Sequence, residues 1–319
     1  MNLLYLLVLS TLVIPSAWAQ QNPKIRIAIP EFTSSSVPFE IARQKGFFSQ
    51  EGLDVEIIRI GCSVSVKALI GRSIDFDACS SFRPMVSAGL QGIKIKIIMA
   101  RANRPLMDLI GAAGIEQITD LRGKIIGGGT LGSPAEDFLE EFLMLNNLNP
   151  RKDVMIRSVG TSSDRIAALY ARQLNATLLS PPLNLNAIDA GFKRIANLGD
   201  WLVGFQGGFS ALHSYLIDHR EIAVRTLRAI LRGLEFYRTR KAESVTIEMK
   251  FTKSRNQSLT ERTYDYINPA LTVDGTLSDA IMEAEVRRAA KALNLTQSLD
   301  AKEFYDWSYV QEAYRTLPR

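Results

Sequence analysis

Short loops that combine serine, threonine and glycine are the parts of this sequence best suited to chemistry. Hydroxyl groups and exposed backbone N–H groups in such loops can hold a small polar or anionic molecule. Each loop taken singly is an ordinary helix cap, so the prediction depends on the whole set. The predicted ligand-binding residues are Glu31, Phe32, Ser34, Ser35, Ser36, Ser63, Ser80, Ser81, Phe82, Thr130, Gly132, Ser133, Thr161, Ser162 and Ser180.

These loops connect apolar, β-branched segments to helical patterns, an alternation typical of βαβ units. The predicted strands are 25–29, 55–60, 74–78, 95–100, 125–127, 154–159 and 176–179. The helices predicted between them are 38–45, 63–70, 83–90, 134–145, 163–173 and 183–190. Beyond a stretch rich in glycine and aromatic residues, the long helices 220–240, 259–268, 278–293 and 301–315 follow.

The pattern predicts two α/β lobes joined by a hinge. The C-terminal helices have no sheet of their own, so we expect them to bury their apolar stripes on the first lobe. Lobe 1 would then comprise residues 20–104 and 213–319, and lobe 2 residues 105–212. Ligands of open α/β sheets bind beyond the carboxyl ends of the strands, where the loops above would meet.

The sequence motifs give little support for nucleotide binding, nucleophilic catalysis or metal binding. Residues 127–132 match G-x-G-x-x-G, but the acidic residue of a dinucleotide site should end the next strand, and Asp153 begins it. Ser133 stands where a P-loop needs lysine. No G-x-S-x-G occurs, and His213 and His219 lack partners at metal-ligand spacing. We therefore expect no enzyme, no cofactor and no metal.

The composition and net charge indicate a folded protein and argue against nucleic-acid binding. The chain has 319 residues, of which 46% are hydrophobic and 22% charged, as in folded proteins with one large domain or two lobes. A net charge of +5 is too small to indicate nucleic-acid binding. Arg225, Arg228 and Arg232 share one face of a predicted helix. We interpret that face as solvent-exposed, with attraction to an acidic partner or an anionic membrane as the alternative.

The N-terminal segment resembles a secretory signal peptide cleaved after Ala19. An apolar run from Leu3 to Ile14 precedes Ala17-Trp18-Ala19 and is shorter than the roughly 20 residues that span a bilayer. No Lys or Arg precedes this run, and a buried first strand is the alternative. We expect a mature protein that begins at Gln20 and is periplasmic or secreted.

The two cysteines, Cys62 and Cys79, leave two interpretations open. They could form a disulfide in an oxidising compartment. We favour two buried free thiols, because a domain of this size needs no disulfide and the sequence does not give the separation of the two Cα atoms.

Nine short segments follow one another along the chain and together form a recognisable series. The first half contains 24–28 (KIRIA), 38–42 (PFEIA), 46–48 (GFF), 51–56 (EGLDVE) and 68–75 (ALIGRSID). The second half contains 120–126 (DLRGKII), 132–133 (GS), 152–154 (KDV) and 165–169 (RIAAL). This series resembles the NMT1/THI5-like solute-binding proteins of ABC importers, which are relatives of sulfonate, nitrate and taurine binding proteins.

The resemblance implies a type II periplasmic-binding-protein fold, in which two α/β lobes close on a ligand and dock on an ABC transporter permease in the membrane. It implies a monomer that carries a small polar or anionic organic molecule. The same superfamily includes thiamine-pyrimidine synthases, and an enzyme of that kind is the alternative. This chain lacks their cysteine-rich metal motif and has the export signal expected above.

The identity of the ligand stays open at this point. An anion would rely on backbone N–H groups and hydroxyls, with Arg83 and Arg101 as the cations near the loops. Alternatively, Phe32 and Phe82 enclose a planar ligand and Glu31 accepts its N–H groups.

Overall fold

The computed structural model describes residues 22–30 and 32–318, apart from the side chain of Ser63. The expected signal peptide and Glu31 lie outside the described residues. None of the described helices combines the length and the apolar character needed to cross a membrane.

The described residues form ten strands and thirteen α-helices. The strands are β1 (Lys24–Ile29), β2 (Asp54–Arg59), β3 (Phe76–Asp77), β4 (Ile95–Ala100), β5 (Asp108–Gly111), β6 (Ile125–Gly128), β7 (Met155–Ser158), β8 (Ala176–Leu179), β9 (Lys193–Asn197) and β10 (Gly208–Leu212). The helices are α1 (Val37–Gln44), α2 (Phe47–Gln50), α3 (Cys62–Ile70), α4 (Phe82–Leu90), α5 (Pro134–Leu145), α6 (Ser162–Tyr170), α7 (Leu183–Asp189), α8 (His213–Asp218), α9 (Arg220–Thr239), α10 (Lys241–Thr252), α11 (Gln257–Ile267), α12 (Asp279–Ala292) and α13 (Ser308–Arg315).

The first sheet has the strand order β2-β1-β3-β10-β4. β1 pairs in parallel with β2 and β3, whereas β10 is antiparallel to β3 and β4. Parallel strands covered by helices are buried on both faces, and Ile27, Ala28 and Ile29 of β1 are fully buried. Because β1, β2 and β3 run in the same direction, the loops that follow them lie at one edge of the sheet.

The second sheet repeats this arrangement in the order β7-β6-β8-β5-β9. β6 is parallel to β7 and β8, and β5 is antiparallel to β8 and β9. The chain crosses to this sheet between β4 and β5 and returns between β9 and β10. β10 falls within the range 105–212 expected for lobe 2 but pairs with the first sheet, so the return crossing precedes Gly208. The other expected lobe limits stay a prediction.

The C-terminal helices pack on the first lobe, which confirms this part of the expected fold. Leu227 of α9, Val286 of α12 and Val310 of α13 belong to the same apolar core as β1 and β4. At the centre of that core the ring of Phe209 stacks on Phe76, with ring centroids 4.7 Å apart. The second lobe has a separate core formed by α5 and the second sheet.

Several elements differ from the sequence prediction. The strand predicted at 74–78 is reduced to the two residues of β3. The helix predicted at 301–315 is interrupted, because Tyr305 forms a β-bridge to Ile97 at the edge of β4. β5, β9, β10 and α10 have no counterpart in the prediction.

The basic face of α9 contacts the protein itself, so its interpretation as a solvent-exposed face is wrong. Arg225 Nε donates to the backbone oxygen of Glu51 at 2.6 Å, and Arg228 Nη1 donates to the Glu51 carboxylate at 2.5 Å. The Arg232 guanidinium lies 4.1 Å from the centroid of the Phe47 ring. These arginines therefore fasten α9 to α2 and the turn after it.

Candidate ligand-binding cleft

A cavity of about 240 Å³, here called the cleft, lies where the loops of the two sheets meet. From the first lobe it is lined by residues after β1, β2 and β3, including Ser35, Cys62 and Cys79. From the second lobe it is lined by residues after β6, β7 and β8, including Thr130 and Ser180. Loops at the carboxyl ends of strands from both lobes thus share one cavity, as the fold class predicts.

The two segments that cross between the lobes complete the wall of the cleft. The first crossing contributes Arg101, Leu106 and Met107, and the second contributes Gln206 and Gly207. A cavity lined by two lobes and by the segments that join them changes shape when the lobes move relative to each other.

Six of the predicted ligand-binding residues line the cleft. Three of them, Thr161, Ser162 and Ser180, come from loops after β7 and β8. The six residues are Ser35, Thr130, Ser133, Thr161, Ser162 and Ser180. Their contact with a ligand stays a prediction.

The other predicted residues near α1 lie away from the cleft wall. Phe32 is 48% exposed and packs edge-on against Phe251, with ring centroids 5.4 Å apart. Ser34 and Ser36 are buried and do not line the cleft. Phe32 and Phe82 are not among the residues that line the cleft, and their role in enclosing a planar ligand stays a prediction.

The predicted residues near α4 and α5 stabilise their own loops. Ser80 Oγ donates to Ser210 Oγ at 3.0 Å, and Ser81 is buried. Phe82 packs edge-on against a core phenylalanine of the second crossing. The N–H of Gly132 donates to Glu136 Oε2 at 2.8 Å, so it is already engaged. Ser63 lies in the first turn of α3, and its side chain is outside the described part of the chain.

Two lining hydroxyls also act as helix caps. Ser133 Oγ accepts the N–H of Glu136 at 3.4 Å at the start of α5. Thr161 Oγ1 accepts the N–H of Asp164 at 3.3 Å at the start of α6. Because both helices begin at the cleft, the positive ends of their dipoles point toward it.

Arg101 is a buried cation in the wall of the cleft. Its Nη1 donates to the Ser35 backbone oxygen at 2.9 Å and its Nη2 donates to the Gln206 backbone oxygen at 3.4 Å. Its Nε has no hydrogen-bond partner among the described residues. The described residues that line the cleft include no Asp or Glu. Burial lowers the pKa of Arg101 to about 10.

Gly207 makes room for this guanidinium group. Its φ is +73°, and a Cβ at this position would lie 2.5 Å from Arg101 Nη2. Only glycine fits this position without moving the arginine side chain. The glycine-rich stretch before β10 was the sequence signal for this contact, but its partner could not be identified from the sequence.

Arg83, the other cation expected near a ligand, forms ion pairs with carboxylates of the second lobe. Its Nη2 lies 2.9 Å from Glu136 Oε2, and its guanidinium also donates to the carboxylate of Asp137. Both acids are in the first turn of α5, whereas Arg83 is in the first turn of α4. This pairing joins the two lobes beside the cleft and leaves the ligand role to other residues.

Arg165 is a cleft residue that the predicted site omits, although its segment belongs to the family-like series. It is 3% exposed, and its Nε donates to the backbone oxygen of Leu178 at 2.7 Å. Its Nη2 donates to Ser162 Oγ at 2.9 Å. Arg165 thus orients a hydroxyl of the cleft wall and adds positive charge on the side of the second lobe.

Cys62 and Cys79 form a disulfide, which corrects the favoured interpretation as free thiols. Their Cα atoms are 5.5 Å apart, within the range that a disulfide spans. The loops after β2 and β3 bring the two residues together, and this proximity is a property of the sheet order that spacing along the chain does not reveal.

The remainder of the wall is largely apolar, with Leu106, Met107, Pro181, Leu183 and Ile267. Such a wall favours a ligand with an apolar organic part, and the arginines favour a ligand that also has a negatively charged group. Among the described residues, no three His, Cys, Asp or Glu side chains are grouped as metal ligands would be.

Two α/β lobes with a shared cleft at their strand ends define the fold of the periplasmic binding proteins. Solved structures agree with this fold. The alkanesulfonate-binding protein SsuA from Xanthomonas axonopodis pv. citri, bound to MOPS, superimposes with a TM-score of 0.75 at 17% identity, over 89% of this chain and 98% of that chain. The periplasmic nitrate-binding protein NrtA from Synechocystis gives a TM-score of 0.73 at 14% identity, over 93% of this chain and 89% of that chain.

Sequence comparison identifies the family. The model of the NMT1/THI5-like family matches residues 33–243, more than half of the chain. The candidate binding protein YtlA of Bacillus subtilis is 23% identical over 250 residues, which cover 74% of this chain and 73% of YtlA. The chain therefore belongs to the NMT1/THI5-like family, and the resemblance seen in the sequence is confirmed.

Proposed function

We propose that this chain is an extracytoplasmic solute-binding protein that captures a small organic anion in the cleft and delivers it to an ABC-type importer. The observation that carries this proposal is the buried guanidinium of Arg101, which faces a cavity whose described lining has no carboxylate. A buried charge without a counter-charge is unfavourable, and an anionic ligand would supply the missing partner.

The lining supports an anion with an apolar body rather than a bare inorganic ion. Ser162 and Ser35 line the cleft beside Arg165 and Arg101, where a carboxylate or sulfonate could accept hydrogen bonds. The apolar residues on the remaining wall would cover a short hydrocarbon chain. The similar proteins bind alkanesulfonate and nitrate, and both of those ligands are anions.

Delivery to an importer is the reason for a two-lobed design. When the lobes enclose a ligand, its polar contacts are shielded from water and the loaded protein presents a surface that the empty one lacks. A permease in the membrane can recognise that surface. The expected signal peptide supports a periplasmic or secreted location. We propose that the mature chain acts as a monomer, with lobe 2 ending before Gly208.

The test compares ligands that differ only in charge. Mature protein is melted with butyrate and butyramide, and with 1-butanesulfonate and 1-butanesulfonamide. A ligand at 100 times its Kd stabilises the fold by about 2.7 kcal/mol. We expect the anion of at least one pair to raise Tm and its neutral analogue to have no effect. Equal shifts within every pair, or no shift with any compound, would contradict the proposal.

The enzyme alternative is tested on the same samples. After incubation with equimolar protein, mass spectrometry measures how much of each compound is unchanged. A binding protein returns the compound intact, whereas an enzyme that accepts the compound converts it to a product. Conversion of any compound would support the enzyme alternative and overturn the proposed role as a carrier.

A further inference from the structure

The disulfide between Cys62 and Cys79 is part of the wall of the cleft. Both cysteines are among its lining residues, and the bridge connects the loop after β2 to the loop after β3. Residues 17 positions apart are thereby held side by side at the ligand-facing edge of the first lobe. Any movement of one of these loops away from the other would change the shape of the cleft.

The loop that carries Cys79 is also held by other contacts. The buried carboxylate of Asp77 accepts the N–H of Cys79 at 2.9 Å and the N–H of Ser80 at 3.0 Å. Ser80 Oγ additionally donates to Ser210 Oγ on β10. Because Asp77 belongs to β3 and Ser210 to the neighbouring strand, this loop is fastened to the sheet independently of the disulfide.

The loop that carries Cys62 has fewer such contacts among the described residues. No side chain caps the N-terminus of α3. A Cβ built on Gly61 would meet no atom within 4 Å, and Val64 is 48% exposed. The hydrogen bonds of Ser65 join it to Gly61 and Cys62, and its side chain also interacts with the buried carboxylate of Asp77 on β3. Ser65 thus anchors the end of this turn, and for residues 61–64 the disulfide is the described side-chain contact that ties the start of α3 to the loop after β3.

We propose that the Cys62–Cys79 disulfide is a positioning element of the cleft, and that its reduction weakens ligand capture by releasing residues 61–64. The binding part rests on the proposed function. A protein kept reduced in the cytoplasm would then hold ligand poorly, and oxidation after export would make it competent to bind. Capture would thus be confined to the compartment in which the ligand is collected.

Dithiothreitol supplies the chemistry for the test. One of its thiolates attacks the Cys62 sulfur, which is the more exposed of the two, and Cys79 leaves as a thiolate that takes up a proton. The second dithiothreitol thiol then displaces Cys62, so the reagent becomes a cyclic disulfide and the protein gains two thiols. Two electrons pass from the reagent to the protein.

The first arm of the experiment needs no ligand. Hydrogen–deuterium exchange is measured on the mature protein before and after reduction, well below its Tm. We expect faster exchange at residues 61–65 and little change at residues 79–82 or in the second lobe. General loosening of the first lobe, or unchanged exchange at 61–65, would overturn the positioning role.

The second arm measures affinity with the butyrate and 1-butanesulfonate probes by calorimetry. If the intact wall is populated in about one-tenth of reduced molecules, Kd rises about tenfold. Reoxidation should restore the affinity, and a Cys62→Ser/Cys79→Ser variant should bind weakly whether or not dithiothreitol is present. Equal Kd values for oxidised and reduced protein would overturn the inference. Absence of binding by the oxidised protein would instead refute the proposed function, while the exchange arm still decides the role of the disulfide.

Discussion

Replacing Arg101 by methionine should weaken the binding of an anionic ligand and leave the stability of the protein almost unchanged. Burial lowers the pKa of Arg101 to about 10, and this lowering corresponds to about 3 kcal/mol of unfavourable burial of the charged guanidinium. The substitution also removes two hydrogen bonds from the charged guanidinium to backbone oxygens, each contributing about 1.5 kcal/mol. The two effects nearly cancel, so Arg101→Met should change the free energy of unfolding by less than about 1 kcal/mol.

Arg83 provides the matched control, because it is similarly buried but forms ion pairs with Glu136 and Asp137. Removing one partner from a buried pair costs about 3–5 kcal/mol, since the remaining charge is left without compensation. Arg83→Met should therefore destabilise the protein by this amount. The two substitutions are chemically identical, and the comparison isolates the effect of the carboxylate partners.

Urea denaturation at neutral pH, followed by tryptophan fluorescence, measures both variants. The same proteins are then melted with the anionic probes, where Arg101→Met should lose the ligand-induced rise in Tm. The reasoning would be refuted if Arg101→Met destabilised the protein as strongly as Arg83→Met. A normal ligand response in Arg101→Met would likewise show that this guanidinium is not the anion site.

Three further changes have defined outcomes. Burial raises the pKa of Glu248 to about 7, so the folded protein binds this proton more tightly than the unfolded chain, and stability falls by about 3 kcal/mol as pH rises from about 4.5 to 7. Glu248→Gln keeps an acceptor for the Tyr237 hydroxyl and should be more stable than wild type at pH 8 but not at pH 4.5, as measured by urea denaturation. Gly207→Ala should displace the Arg101 guanidinium and weaken anion binding by about tenfold or more in calorimetry, because the new Cβ clashes with it. Phe209→Ala should cost about 3–5 kcal/mol in urea denaturation, because it opens a cavity within a stack of core rings.

Each of these changes has its own control. A constant stability difference between Glu248→Gln and wild type at both pH values would contradict the buried-acid argument. Gly191→Ala is a matched glycine at positive φ with no atom near its Cβ position, so it should not affect binding. Leu145→Ala removes an exposed side chain and should change stability by less than about 0.5 kcal/mol. If Leu145→Ala lowered the free energy of unfolding as much as Phe209→Ala, the assignment of Phe209 to the core would be contradicted.

The parallel part of each sheet could be predicted because its strands are continuous apolar runs. β8 has the bounds that the pattern gives, and α5 begins at Pro134 after a capping serine. β4 also has the predicted bounds, and it runs in the same direction as β1 although its hydrogen-bonded neighbour is the antiparallel β10. The antiparallel strands gave no such signal. β9 is an edge strand with exposed Lys193 and Arg194, and β10 begins with glycine. Their strand conformation is imposed by pairing with neighbours that are distant in the sequence.

α10 shows how an apolar pattern can mislead. Val245, Ile247, Met249 and Phe251 alternate with polar residues, which is the period of a strand. In the structure Val245 and Ile247 are buried between neighbouring helices, and α10 has apolar residues on more than one side. A helix enclosed in this way does not need the single stripe that identifies a surface helix.

The cleft could be predicted in position more readily than in chemistry. Serine and threonine after successive strands indicate the correct edge of both sheets, because parallel strands end on the same side. Arg83 and Arg101 differ in whether a carboxylate of the second lobe neutralises the guanidinium. Glu136 and Asp137 of α5 form ion pairs with Arg83 and not with Arg101. Such a difference arises from packing between segments that are far apart in the chain.

The short contact between Tyr305 and Ile97 has a consequence for solubility. The N–H of Ile97 donates to the backbone oxygen of Phe304 at 2.8 Å, and the N–H of Asp306 donates to that of Ile97 at 2.8 Å. This segment therefore occupies hydrogen-bonding groups at the outer margin of β4 that would otherwise invite a strand from another molecule. A chain shortened before Phe304 would present a bare β4 margin, and we expect such truncations to self-associate into aggregates.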